Sequence, residues 1–164
     1  MAFFRWASSI TLALVTPFSV ALAEEAHTHG EGQLNIAIDD AGALIEVMVP
    51  ADDLVGFEYN PSSDQEKNAV ADALATLEDV DLFRFNAEAG CSRTSVHADF
   101  EVEGDHAEFH AEIEFSCADT DAIKTLATSY FTHFPDTHEL EVQISTNQGS
   151  SGIDWEAENS SIAL

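Results

Sequence analysis

The residues best suited to chemistry are histidines and carboxylates that alternate with apolar residues between positions 96 and 115. The polar positions are His97, Asp99, Glu101 and Glu103 in a first run and His106, Glu108, His110, Glu112 and Glu114 in a second. A period of two predicts strands with one apolar and one polar face. Gly104 and Asp105 separate the runs, and two such turn residues predict a β-hairpin.

The two-residue loop also predicts the register of this hairpin, because it fixes which residues lie opposite each other. The predicted pairs are Glu103 with His106, Glu101 with Glu108, Asp99 with His110, and His97 with Glu112. Three imidazoles and a ring of carboxylates then share one solvent-facing surface. Like charges that face each other, as in the pair of Glu101 and Glu108, destabilise a hairpin unless a cation lies between them.

Neutral imidazole and carboxylate together are ligands of zinc. Calcium prefers all-oxygen cages, and no EF-hand loop is present. Imidazole also suits copper and nickel, so the sequence leaves those metals open. The alternative is a hydrated acidic face on which the histidines only pair with neighbouring carboxylates.

Further histidines occur outside the hairpin. His27 and His29 precede the first predicted strand and point to the same side if that segment is extended. His133 and His138 flank Pro135, where a structural or surface role is favoured. The predicted metal ligands are His27, His29, His97, His106, His110, Asp99 and Glu108. The sequence has no HExxH helix, nucleophile elbow or phosphate loop, so no enzyme is predicted.

The N-terminal residues resemble a secretory signal peptide. Arg5 is the only charge before an apolar run from Ile10 to Leu22, and Ala21 to Ala23 form a small-x-small cleavage site. About thirteen residues are too few to span a bilayer, so stable membrane insertion is disfavoured. We therefore expect a signal peptide over 1–23, a single metal-binding domain over 24–164, and a monomer in the periplasm.

The chain is strongly acidic, with a formal net charge of −26. Such a surface repels nucleic acid and anionic lipid, which excludes nucleic-acid binding. The acidity fits solubility in a saline habitat and also attraction of cations, and both explanations stay open.

The two cysteines, Cys91 and Cys117, predict one structural disulfide in an oxidising compartment. Closure of a loop of about 26 residues contributes roughly 3 to 4 kcal/mol in the chain-entropy model. The remaining pattern predicts an α+β fold, an antiparallel sheet covered by two helices. One helix spans Asp64 to Leu77 after the capping box of Ser63 and Glu66, and the other runs from Asp119 toward Phe134, although its last part could be extended. Predicted strands cover 34–38, 44–49 and 140–144, with weaker signals at 153–155 and 162–164.

Several short motifs appear in an order that resembles a family of bacterial periplasmic proteins that are zinc-regulated and zinc-binding. The matching residues are His27, His29 and Gly30; Pro50, Ala51 and Asp52; Leu54, Val55, Gly56, Phe57, Glu58 and Pro61; Ala89, Gly90 and Cys91; Phe115, Ser116, Cys117 and Ala118; Phe131, Phe134 and Pro135; and Val142, Gln143, Gln148 and Gly149. The resemblance implies an α+β domain that binds zinc in support of an import system. Many relatives carry a long histidine-rich insertion between the cysteines. This chain has only three histidines there, His97, His106 and His110, which argues against a high-capacity zinc reservoir and leaves a defined site open.

The function predicted from these features is capture or buffering of zinc for an envelope uptake system. The receiving partner is expected to be an ABC-type or outer-membrane zinc importer. The alternative is a noncatalytic acidic envelope protein that binds a protein partner without a specific metal.

Overall fold

Nine β-strands form two sheets in the computed structural model, which describes residues 28–164. The strands are β1 (Glu31–Asp39), β2 (Gly42–Pro50), β3 (Phe83–Phe85), β4 (Ser92–Glu103), β5 (His106–Ser116), β6 (Thr125–Thr128), β7 (Glu139–Thr146), β8 (Gly149–Glu156) and β9 (Ser161–Ala163). A six-stranded sheet has the order β4-β5-β2-β1-β7-β8, and a smaller sheet has the order β3-β6-β9. The predicted signal peptide and His27 lie outside the described residues, so the division into 1–23 and 24–164 stays a prediction.

The predicted α+β class is wrong, because the protein is mainly β. Strands hold 49% of the described residues, and the helices are α1 (Ala51–Val55), α2 (Asp64–Leu77) and α3 (Tyr130–His133). The larger sheet is also not wholly antiparallel, since β1 pairs with β7 in parallel. No helix in residues 28–164 is long and apolar enough to cross a membrane.

The predicted second helix from Asp119 to Phe134 is also wrong. This segment instead forms a 3₁₀ turn (Thr120–Ala122), β6 and the short helix α3. The apolar residues have helical spacing, but β6 is drawn into the small sheet, where Leu126 pairs with Phe85 on one side and Ile162 on the other. Leu126 is fully buried by this arrangement. Tertiary pairing therefore overrides the local helical pattern.

Helix α2 confirms the capping prediction and has the predicted bounds. The Ser63 hydroxyl accepts a hydrogen bond from the Glu66 backbone N–H at 3.2 Å, and the Glu66 carboxylate accepts from the Ser63 N–H at 2.8 Å. The N–H of Ser62 donates to the same carboxylate oxygen at 2.8 Å. The backbone N–H groups of Ser63 and Ser62 lower the pKa of Glu66 to about 2. Val70, Ala73 and Leu77 are the residues that the helix buries.

The hairpin of β4 and β5 has the predicted register at all four pairs, from Glu103 with His106 to His97 with Glu112. Phe109 and Ile113 on its apolar face are buried in the core. The predicted disulfide between Cys91 and Cys117 is present and joins the ends of the two strands opposite the turn. A disulfide fits an exported protein.

Candidate metal site

A carboxylate that lies between two imidazoles is the centre of the candidate site. One Glu58 oxygen, Oε1, is 3.3 Å from His29 Nε2, and the other, Oε2, is 3.3 Å from His106 Nδ1. The second ring nitrogen of His29, Nδ1, is 3.4 Å from Asp52 Oδ2. These four residues, His29, Asp52, Glu58 and His106, are called the Glu58 cluster below. The Glu58 side chain is only 16% exposed, whereas the two rings are about 60% exposed and can turn.

Helix α1 positions the N-terminal histidine through two adjacent carboxylates. Asp52 contacts the His29 ring, and Asp53 accepts the Gly30 N–H with both carboxylate oxygens, at 2.8 and 3.0 Å. Asp53 is 4% exposed, and this burial raises the pKa of its carboxyl. Gly30 has φ +87°, a conformation that favours glycine, and its carbonyl accepts from the His138 N–H at 2.7 Å. The backbone next to His29 is therefore held firmly.

A left-handed glycine brings Glu58 to the same place. Gly56, at φ +78°, ends α1, and its N–H donates to the Asp52 carbonyl at 2.8 Å. The chain then turns back toward the hairpin tip, where His106 begins β5. The cluster thus joins the segment before β1, the end of α1 and the hairpin turn.

A second group of polar side chains lies farther along the hairpin, around a cavity of about 270 Å³. The cavity is lined by Asn35, Glu46, Val47, Met48, His97, Asp99, His110, Ala111 and Glu112, and is called the hairpin cavity below. His97 Nε2 lies 3.5 Å from Asp99 Oδ2. His110 Nε2 lies 3.0 Å from an oxygen of Glu108. The predicted ligands are therefore divided between the Glu58 cluster and the region of the hairpin cavity.

The outcome for the sequence predictions is mixed. His29 and His106 are brought together by Glu58, which was not among the predicted ligands, and neither was Asp52. His133 and His138 are exposed, as expected for surface residues. As the side chains stand in residues 28–164, no three histidine, cysteine or acidic residues are arranged to hold a metal ion.

The fold and the grouped side chains define a mainly β protein with a candidate cation-binding face of imidazoles and carboxylates. A family model described as ZrgA family zinc uptake protein matches residues 26–164, so the chain belongs to this family. The resemblance inferred from the sequence is confirmed. A comparison with curated proteins finds no match. The family links the chain to zinc uptake.

Proposed function

We propose that this protein captures zinc in the periplasm at the Glu58 cluster and supplies it to an envelope zinc-uptake system. The zinc uptake family and the predicted signal peptide support this role. The observation that carries the proposal is the contact of one carboxylate with imidazoles from two segments that are distant in sequence. Acidic and imidazole side chains are the hard and borderline ligands that zinc accepts.

Two contacts in the cluster have the length expected between neighbouring ligands of a zinc ion. Metal–ligand bonds of about 2.0 to 2.2 Å place neighbouring ligands of a tetrahedron about 3.3 to 3.6 Å apart. The contacts of Glu58 with His29 and His106 are both 3.3 Å. A charge-assisted hydrogen bond is usually shorter, about 2.7 to 2.9 Å. The two contacts involve different Glu58 oxygens, so the exposed rings must turn before the three side chains can share one ion.

The roles within the cluster follow from which atoms face each other. Nε2 of His29, Nδ1 of His106 and the Glu58 carboxylate supply three ligands. Asp52 lies 3.4 Å from the other nitrogen of His29, Nδ1, where a carboxylate can accept the ring proton and so favour the tautomer whose Nε2 binds the metal. Three protein ligands leave a fourth position open, as expected of a site that must release its ion. The acidic surface raises the local concentration of cations.

The test is calorimetric titration of the purified protein with zinc at pH 7.5 and pH 5.5. Glu58→Gln keeps the size of the side chain but removes its charge, and should weaken zinc binding because one of the three ligands is no longer an anionic carboxylate. His106→Ala should do the same. Binding by the unchanged protein should weaken at pH 5.5, because protonated imidazole is not a ligand.

His133→Ala is the matched control, since His133 is an exposed histidine that belongs to neither the Glu58 cluster nor the lining of the hairpin cavity. It should bind zinc as the unchanged protein does. Equal affinity in Glu58→Gln, His106→Ala and the control would overturn the proposed site. Titration with copper and nickel under the same conditions establishes which metal the cluster prefers.

A further inference from the structure

We infer that the hairpin cavity is a second, separate binding site for a divalent transition-metal ion, with His97, Asp99 and His110 as its ligands. The inference deepens the proposed function and rests on it, because it concerns how many zinc ions the same face carries. The cavity shares no residue with the Glu58 cluster.

The register of the hairpin brings the three ligands together. Asp99 lies directly opposite His110, and His97 is two residues earlier on the same face of β4. Residues that face each other across strands have Cβ atoms about 5 Å apart. His97 Nε2 is already 3.5 Å from Asp99 Oδ2, and the His97 side chain is 77% exposed, so its ring is free to turn toward an ion.

Two features of the cavity indicate a missing positive charge. Asp99 Oδ1 is shielded from solvent and accepts no hydrogen bond, although the Asp99 side chain as a whole is 41% exposed. Glu46 and Glu112 lie directly opposite each other on β2 and β5, where like charges destabilise the sheet. No lysine or arginine of residues 28–164 lines the cavity. A bound divalent cation compensates both features at once.

The contact of His110 with Glu108 prepares the ring for a metal. The Glu108 carboxylate, 3.0 Å from His110 Nε2, accepts the proton on that nitrogen. In the neutral ring, Nδ1 then keeps its lone pair. A carboxylate that orients a metal-binding imidazole in this way is common around zinc.

The two places are too far apart for one ion. His106 and His110 are four residues apart on β5, and a strand rises about 3.3 Å per residue, so their Cα atoms are separated by ~13 Å. The cavity also holds three carboxylates, on Asp99, Glu46 and Glu112. The site is therefore richer in oxygen than the Glu58 cluster, which has two.

The experiment is a calorimetric measurement of zinc stoichiometry on the full protein at pH 7.5. The unchanged protein and the control His133→Ala should bind two ions. The double variant His97→Ala/His110→Ala should bind one, and His106→Ala should also bind one. Asp99→Asn, which conserves side-chain size, should weaken the binding of only that ion which the double variant loses.

The possible failures are distinguishable. If the unchanged protein binds one ion, and His106→Ala loses it while the double variant keeps it, the second site is overturned and the proposed function stands. If the unchanged protein binds one ion and only the double variant loses it, metal binding at the Glu58 cluster is overturned and metal binding in the hairpin cavity is supported. Two ions retained in the double variant would overturn the second site, because its ligands would then be unnecessary.

Discussion

Removal of the disulfide should destabilise the protein strongly without abolishing the Glu58 cluster. Cys91 and Cys117 close a loop with a sequence separation of 26. In the chain-entropy model, release of a loop of this length lowers the free energy of unfolding by about 3.5 kcal/mol at 25 °C. This amount is a large share of the ~5 to 15 kcal/mol that stabilises a typical domain.

The position of the disulfide in the sheet predicts where the loss is felt. Strand β4 is an edge strand that pairs only with β5, and the disulfide ties its first residues to the end of β5. Without the bridge, fraying should begin at the Ser92 end of β4. His97 and Asp99 lie toward the middle of this strand. His106 lies at the other end of the hairpin, beside the two-residue turn. Zinc binding to the Glu58 cluster should therefore persist in the folded fraction.

The assay is urea unfolding of the oxidised protein and of the Cys91→Ser/Cys117→Ser variant, followed by the fluorescence of buried Trp155. A loss of about 3.5 kcal/mol shifts the midpoint by roughly 1.2 to 3.5 M urea for m-values of about 1 to 3 kcal/mol/M. Added reductant should lower the midpoint of the unchanged protein and leave that of the variant unaltered. A decrease in the free energy of unfolding of less than about 1 kcal/mol would refute the entropic reasoning. Loss of zinc affinity in the folded variant would show that the Glu58 cluster depends on the disulfide.

Three smaller predictions concern the helix cap and a buried hydroxyl pair. Ser63→Ala should lower the free energy of unfolding by about 1 kcal/mol, measured by urea titration, because the Glu66 N–H loses its acceptor. The pKa of Glu66 lies at about 2, below its usual 4.5, so its contribution to stability is fully present above pH 4.5 and is lost as the pH falls through 2. Glu66→Gln should therefore destabilise the protein at pH 7 more than at pH 2.5, and an equal loss at both would contradict the pKa. Tyr130→Phe should lower the free energy of unfolding by about 1 to 3 kcal/mol, measured by thermal unfolding, because the buried Thr137 hydroxyl loses its hydrogen-bond partner at 3.0 Å. Adding Thr137→Val should recover part of this loss, because no unpaired hydroxyl then remains.

The sequence determined the features that depend on neighbours along the chain. The hairpin register follows from strict alternation around a two-residue turn, so the pairs of Asp99 with His110 and of His97 with Glu112 were predictable. The cap of α2 follows from Ser63 and Glu66, three residues apart. The disulfide was predictable because the chain has only two cysteines.

The tertiary structure decided what depends on distant segments. The same apolar spacing from 119 to 134 suits a helix or a strand, and pairing of β6 between β3 and β9 selects the strand. The parallel pairing of β1 with β7 and the buried contact of Asp53 with Gly30 join residues far apart in sequence. Glu58 stands alone in its segment, without periodic partners that would mark it as a ligand. Its meeting with His29 and His106 depends on the turn at Gly56 and on the packing of α1 against β5, which no local pattern encodes.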